Sequence, residues 1–298
     1  MDFHVLGPIR IVVDGAEVSP GPPKQVALLA LLLIHPNEPV SADRIIDALW
    51  VDPPSSAANL VQVYVSGLRT VLEPSRRPGE NPERLVTTPA GYTLRVDHDE
   101  LDAWRFEHMV EAASGHDVDR VDVLRSAMEL WRGRPFADVA YEDFAAAEVR
   151  RLDEIHARAE LMLNETLLDA GEHQAVLETA GSWVLEHPLR EEFWNLYMRA
   201  LYQAGRQPDA LRAYRSAVDA FAEAGIEPSP DLAALEERIL LRDPALVPKP
   251  GPDVPDDNIP ANLSTFVGRE TEIETIRSLL PRHRLVTLTG PGGIGKSR

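Results

Sequence analysis

The segment from Ser56 to Glu73, SAANLVQVYVSGLRTVLE, decides the fold of the N-terminal part of this 298-residue chain. Its apolar residues recur at helical spacing and form one stripe: Val61, Val65, Leu68 and Leu72, extended by Tyr64 and Val71. The opposite face is polar and carries Asn59, Gln62, Ser66, Arg69 and Glu73. Amides, a hydroxyl and a guanidinium can read base edges in a major groove. The pattern therefore predicts either a recognition helix or an ordinary amphipathic helix with a solvated face.

The elements predicted around this helix favour the first alternative. Two strands come first, Phe3–Leu6 and Ile9–Val13, followed by an Asp14-Gly15 turn. A helix from about Pro23 to His35 and a second that begins after the N-cap Ser41 and ends near Trp50 precede the helix quoted above. A β-hairpin over Arg84–Val96 follows it. A hairpin that follows a third helix is typical of the wing of a winged-helix DNA-binding domain. We therefore expect the polar face to contact DNA.

Composition excludes several other classes of function. The chain has no cysteine, which excludes disulfides, thiolate catalysis and cysteine-based zinc sites. Its nine histidines show no metal-ligand spacing, so we expect no metal site. The apolar run 26–34 is too short to cross a membrane, and we expect a cytoplasmic protein without a membrane partner.

The distribution of charge leaves room for DNA binding. The net charge is −18, but residues 1–97 hold 8 Lys and Arg against 11 Asp and Glu, a net of −3. Within 69–95, five arginines stand against three glutamates, a net of +2. We expect modest DNA affinity with a strong salt dependence, because phosphate neutralisation requires local positive charge.

Residues 98–245 are predicted to be helical almost throughout. Gly171 and Gly205 lie 34 residues apart, which is the tetratricopeptide period. The repeat places four residues at packing positions: Trp194, Ala210, Tyr214 and Ala217. Such a stack offers a broad groove and no catalytic constellation, so a protein-binding scaffold is a further hypothesis.

The C-terminal part combines a proline-rich linker, 246–262, with a phosphate-binding motif. GPGGIGKS, 290–297, fits G-x-x-x-x-G-K-[ST] after a strand-like segment, and its Lys-Ser pair favours a P-loop over a Rossmann turn. The residues expected to hold a nucleotide are Gly290, Gly292, Gly293 and Gly295 around the phosphates, Lys296 on the β/γ charge and Ser297 on Mg²⁺. We expect a longer regulator truncated at the start of its ATPase domain, 263–298. In this chain we expect no cofactor and no ATP hydrolysis; ATP and Mg²⁺ would bind to the full-length protein.

These motifs resemble known families. VQVYVSGLR at 61–69, with Leu72-Glu73 and Gly91-Tyr92, resembles the winged helices of OmpR/PhoB-type response regulators. Together with the helical region, the chain is similar to the Streptomyces antibiotic regulatory proteins, and among them to the large AfsR-like members. FVGRE at 266–270 resembles the entry to NB-ARC/STAND ATPase domains.

The resemblance implies a mainly α fold in four parts. An OmpR-type winged helix-turn-helix domain (1–97) would precede an all-α, tetratricopeptide-like bacterial transcriptional activation domain (98–245). The linker (246–262) and the first strand and P-loop of an α/β ATPase domain (263–298) would follow.

The resemblance also implies which residues face DNA. By motif position these are Gln62, Tyr64, Ser66, Gly67 and Arg69, and we add Asn59, Thr70, Arg76, Arg84, Thr88 and Arg95. Thr88 stands where several winged helices of this type carry an arginine that enters the minor groove. Minor-groove reading by a cation is therefore not expected there, and Arg84 or Arg95 is expected to contact phosphate instead.

The function implied is that of a sequence-specific transcriptional activator and not an enzyme. It would bind direct repeats in double-stranded promoter DNA as a homodimer, and recruit RNA polymerase holoenzyme through its sigma factor and its beta and alpha subunits. The regulated genes would belong to antibiotic biosynthesis. The alternatives are a STAND-type signalling ATPase in the full-length protein and the scaffold described above.

Overall fold

The chain begins with a small antiparallel sheet. The computed structural model describes residues 1–77, 79–115 and 119–246. Three strands pair in the order β1-β2-β3: β1 (Asp2–His4), β2 (Arg10–Val13) and β3 (Ala16–Val18). Asp14 and Gly15 have φ values of +50° and +81° and close the turn between β2 and β3. The sequence predicted two strands, so β3 is an addition.

Three helices follow, close to the predicted bounds: α1 (Pro23–Ile34), α2 (Ala42–Leu49) and α3 (Ala57–Leu72). Proline in the first turn of α1 suits a position whose N–H has no helical partner. The Ser41 hydroxyl caps α2 by accepting a hydrogen bond of 3.2 Å from the Arg44 N–H. Local chemistry in the first turn therefore sets where α1 and α2 begin.

The predicted hairpin consists of β4 (Leu85–Thr88) and β5 (Gly91–Leu94). The backbone groups of Tyr92 and Val40 exchange two hydrogen bonds of 2.9 Å, which join β5 to the segment before α2. Gly91 allows this approach, because a Cβ on it would lie 2.0 Å from the Val40 carbonyl oxygen. The hairpin is thus fixed to the segment that precedes α2.

Seven α-helices joined by loops follow in the described chain: α4 (Asp102–Ala113), α5 (Arg120–Met128), α6 (Asp143–Asp169), α7 (His173–Glu186), α8 (Glu191–Gln203), α9 (Gln207–Glu223) and α10 (Pro230–Leu240). Gly171 and Gly205, with φ values of +83° and +74°, lie after α6 and α8. Trp194, Ala210 and Ala217 are buried, as predicted, and Tyr214 packs half-buried against the same cluster. No helix in 1–77, 79–115 or 119–246 is long and apolar enough to cross a membrane. The predicted fold class, a winged helix followed by a helical activation domain, is confirmed.

The packing does not divide at residue 97. One hydrophobic core joins β1 and α1–α3 with α4, α5 and the N-terminal half of α6, as far as Ala159. A second core begins at Ala157 and fills α7–α10. The 27-residue helix α6 therefore runs through both cores, and the first half of the helical region packs with the winged helix.

Asp102 holds the two parts of the first core together. Its side chain is fully buried and accepts hydrogen bonds from the Val5 N–H (2.8 Å) and the Leu6 N–H (3.2 Å). The Arg132 guanidinium donates a third, at 3.0 Å. A buried carboxylate is tolerated where charge and hydrogen bonds compensate for its desolvation. The loop after β1 is thereby fixed to the start of α4.

Candidate nucleic-acid interface

The apolar stripe of α3 is the side that it buries. The four predicted stripe residues are 0–2% exposed and belong to the first core: Val61, Val65, Leu68 and Leu72. Burying each such side chain stabilises the fold by about 1.5–3 kcal/mol. Rotating α3 about its axis would expose this stripe, so the core determines which face points outward.

The outward face of α3 is exposed and uncharged. We call it the α3 surface, and it consists of Asn59, Gln62, Val63, Ser66 and Thr70. The Thr70 hydroxyl donates to the Ser66 carbonyl at 3.1 Å, within the helix. The amides of Asn59 and Gln62 are exposed. The structure thus brings four predicted DNA-contact residues together and adds Val63, which the polar pattern did not include.

Arg69 and Glu73 bind the hairpin, although the sequence predicted that they share the α3 surface. Arg69 Nε donates to the Leu85 carbonyl at 2.8 Å, and its Nη2 donates to the Thr87 hydroxyl at 2.7 Å. Glu73 accepts the backbone N–H groups of Glu83 and Arg84. Burial lowers the pKa of the half-buried Arg69 guanidinium from its ordinary value. These two side chains tie the C-terminal end of α3 to the wing.

Tyr64 and Gly67, both predicted to face DNA, have packing contacts instead. The Tyr64 ring stacks on Trp50, with 6.3 Å between the ring centroids and 21° between the planes. A Cβ on Gly67 would lie 2.2 Å from Oε1 of Gln25, which is buried in α1. Both residues therefore set the position of α3 against its neighbours.

The remaining predicted contact residues occupy different environments. Arg76 Nε lies 3.0 Å from a Glu73 carboxylate oxygen, and the Thr88 hydroxyl donates to the Gly91 carbonyl within the hairpin. Arg95 is exposed, as is Arg77, which the prediction omitted because nothing in its local pattern distinguished it.

Arg84 makes a bidentate pair with Glu100, at 2.6 Å for each hydrogen bond. Hydrogen bonding to this carboxylate raises the pKa of the Arg84 guanidinium. Both charges are half-buried and the pair joins the hairpin to the turn before α4. Of the two arginines considered for phosphate contact, Arg95 is the one that is exposed.

The predicted nucleotide-binding residues, 290–297, lie outside the described residues, as do 247–262 of the predicted linker. The structure therefore leaves the P-loop a prediction. In the part of the chain that it does describe, no three His, Asp or Glu side chains are grouped to hold a metal ion.

The described chain thus combines a winged helix, whose third helix exposes a polar face, with a helical domain that shares its core. Two family descriptions match the chain: "Transcriptional regulatory protein, C terminal" over residues 17–94 and "Bacterial transcriptional activator domain" over residues 101–240.

Named relatives agree. The transcriptional regulatory protein EmbR of Mycobacterium tuberculosis is 36% identical over 252 residues, covering 82% of this chain and 64% of EmbR. The regulatory protein AfsR of Streptomyces coelicolor is 34% identical, over 99% of this chain and 31% of AfsR. The regulatory protein DnrI of Streptomyces peucetius is 31% identical, over 86% of this chain and 97% of DnrI.

A solved structure is also similar. It is that of M. tuberculosis EmbR in complex with a low-affinity phosphopeptide, with a TM-score of 0.74 and 37% identity over 82% of this chain and 65% of that one. The chain belongs to the Streptomyces antibiotic regulatory protein family. It spans less than two thirds of EmbR and about a third of AfsR.

Proposed function

We propose that the chain binds promoter DNA sequence-specifically and activates transcription, with the α3 surface in the major groove. The observation that carries this is the grouping of four hydrogen-bonding residues, Asn59, Gln62, Ser66 and Thr70, on the exposed face of a helix. An α-helix fits the major groove, and amides and hydroxyls match the donors and acceptors of base edges. The family membership supports the same function.

Phosphate contacts would be few. The α3 surface carries no charge, and Arg84 is paired with Glu100. Arg77 and Arg95 are the exposed cations nearest to the wing in sequence. Each neutralised phosphate contributes about −0.9 to the slope of log K against log salt concentration. We therefore expect these two arginines to contribute a slope of roughly −2 per winged helix, a weaker salt dependence than the sequence alone predicted, with base contacts supplying much of the specificity.

We further propose that the chain acts as a homodimer on direct repeats and contacts RNA polymerase holoenzyme through its sigma factor and its beta and alpha subunits. The core shared by the winged helix and α4–α6 supports the polymerase contact, because DNA binding would then also orient the helical domain on the promoter. Membership in the family supports the homodimer on direct repeats. Membership in a family that includes DnrI and AfsR supports target genes of antibiotic biosynthesis.

The test is to replace Gln62 with Ala. The probe is a duplex selected by the wild-type protein from a random-sequence pool, and binding is measured by fluorescence anisotropy at two salt concentrations. We expect a loss of affinity of about 10- to 100-fold for that duplex, corresponding to ~1–3 kcal/mol for a base contact. Affinity for unselected DNA and the unfolding midpoint should not change.

Gln174→Ala is the matched control, because Gln174 is an exposed glutamine on α7, a helix outside the winged helix. It should bind the selected duplex as the wild type does. Equal affinities of wild type and Gln62→Ala at both salt concentrations would remove the α3 surface from the interface. Failure to select any duplex would favour the scaffold hypothesis, in which the helical repeats bind a protein.

We also propose that the motif 290–297 binds ATP with Mg²⁺ in a regulator that carries a complete ATPase domain, and that the nucleotide controls the N-terminal domains. The support is the motif GPGGIGKS itself. The test compares ATP hydrolysis by such a full-length protein with its Lys296→Ala variant. Equal turnover by the two would refute it.

A further inference from the structure

Val63 is an aliphatic side chain in the middle of the α3 surface. It is 61% exposed, whereas the stripe residues Val61 and Val65 on either side of it in sequence are 1% exposed. Helical geometry places it one turn from both Asn59 and Ser66, with Gln62 beside it and Thr70 two turns away. The hydrogen-bonding side chains therefore surround an apolar group.

The fold does not account for valine at this position. Val63 buries little in the monomer, so its methyl groups add little to the hydrophobic stabilisation of the core. Valine is also a poorer helix former than alanine or glutamine, because its branched side chain loses rotamer freedom in a helix. A single exposed aliphatic residue is common on protein surfaces, and position is what distinguishes this one. When the α3 surface lies against DNA, Val63 is desolvated together with its polar neighbours.

The chemistry of the major groove contains one apolar partner for such a side chain. The base edges present hydrogen-bond donors and acceptors except at thymine, which exposes its C5-methyl group. We propose that Val63 determines specificity by packing against the C5-methyl group of a thymine in the target site, while the surrounding amides and hydroxyls bond to neighbouring base edges. This inference rests on the proposed DNA binding by α3. It adds that Val63, at the centre of the α3 surface, selects a thymine.

The experiment removes the methyl group from the DNA and the methyl groups from the protein separately. The duplex selected by the wild-type protein is resynthesised with each thymine replaced, one at a time, by deoxyuridine, which keeps every hydrogen-bonding group and lacks only the methyl. Affinities of wild type and Val63→Ala are measured for the whole series. Leu185→Ala, which alters an exposed leucine on α7, is the matched control.

We expect one thymine position at which deoxyuridine weakens wild-type binding by about fourfold, the equivalent of ~0.8 kcal/mol for one buried methyl-sized group. Val63→Ala should bind the unmodified duplex at least as weakly as the wild type binds the deoxyuridine duplex. Its affinity should not change when deoxyuridine replaces thymine at that position. Leu185→Ala should retain the wild-type affinity and its sensitivity. Circular dichroism should show an unchanged helix content in all three proteins.

Two outcomes would overturn the inference while leaving the proposed function intact. One is a selected duplex for which no deoxyuridine substitution weakens wild-type binding. The other is a Val63→Ala protein that keeps the full sensitivity of the wild type at every thymine. Failure to select a specific duplex would instead refute the proposed function.

Discussion

The α3 surface and the junction around Asp102 both contain polar groups, and they differ in what those groups bind. At the junction, the fully buried Asp102 carboxylate accepts hydrogen bonds from two backbone N–H groups and from Arg132. On the α3 surface, the amides of Asn59 and Gln62 are exposed to solvent. A polar group buried without a partner costs free energy, whereas an exposed one exchanges water for another partner at little net cost. Paired buried groups therefore fix this structure, and exposed ones are available to DNA.

The largest expected effect on stability is that of Asp102→Ala. The substitution leaves the Val5 and Leu6 N–H groups without their acceptor and Arg132 without its counter-charge. Leaving a buried donor without its acceptor costs about 1–3 kcal/mol, and two backbone donors lose theirs here. The partly exposed Arg132 can be solvated, so we expect a loss of roughly 3–5 kcal/mol in all. The free energy of unfolding, measured by urea denaturation, should fall by that amount.

Asp99→Ala provides the control, since Asp99 is an exposed carboxylate three residues away. It should change stability by no more than about 0.5 kcal/mol. If both variants are equally stable, the junction does not depend on the Asp102 hydrogen bonds, and paired buried groups do not fix this part of the structure.

A smaller effect is expected for Arg69→Ala. This substitution tests whether Arg69, which the sequence predicted to contact DNA, has a structural role instead. Its guanidinium holds β4 through Leu85 and Thr87. Hydrogen bonds to a charged group contribute about 1.5–3 kcal/mol, and part of this should be lost from the stability of the winged helix. Limited proteolysis should cut the hairpin faster, and the unfolding midpoint should fall.

The exposed Arg77 is the matched control for Arg69, because Arg77→Ala should leave both the proteolysis rate and the midpoint unchanged. If Arg69→Ala is stable, keeps its hairpin and binds DNA more weakly, Arg69 contacts DNA as the sequence predicted.

The smallest effect concerns Glu160, a half-buried carboxyl of α6. Burial, and then the carboxylate of Glu186, raise the pKa of Glu160 from 4.5 to about 7. Between these values the folded protein keeps a proton that the unfolded chain releases, so this contribution to stability is lost as the pH rises. Relative to the wild type, Glu160→Gln should gain on the order of 1 kcal/mol between pH 5 and pH 8.

Urea denaturation of both proteins at the two pH values measures this gain. His156 Nδ1 lies 3.7 Å from a Glu160 carboxylate oxygen, but burial lowers the pKa of His156 to about 4, so its imidazole is neutral between pH 5 and pH 8 in both folded proteins. The exposed Glu165 offers a control, since Glu165→Gln should follow the wild-type pH dependence. A parallel pH dependence of wild type and Glu160→Gln would show that Glu160 ionises normally.

Much of the fold could be predicted because its signals are local. The stripe of α3 and the Ser41 cap lie within a few residues of the structure that they determine. The strand β3 was missed because three residues, one of them half-buried and two exposed, carry too short a pattern. Val63 was missed because the prediction sought hydrogen-bonding groups. The size of the first core was missed because its contacts join distant segments, such as Asp102 and Val5.

The sequence by itself determined that α3 is amphipathic, where the first three helices begin, and which residue types are available to read a base. Tertiary structure decided which of those residues are free to do so. It turned Arg69 and Glu73 to the wing, Tyr64 to Trp50 and Gly67 to Gln25, and it left Asn59, Gln62, Val63, Ser66 and Thr70 outside. The physical reason is that periodicity assigns a side chain to a face, while its hydrogen-bond partner is provided by a segment that only folding brings near.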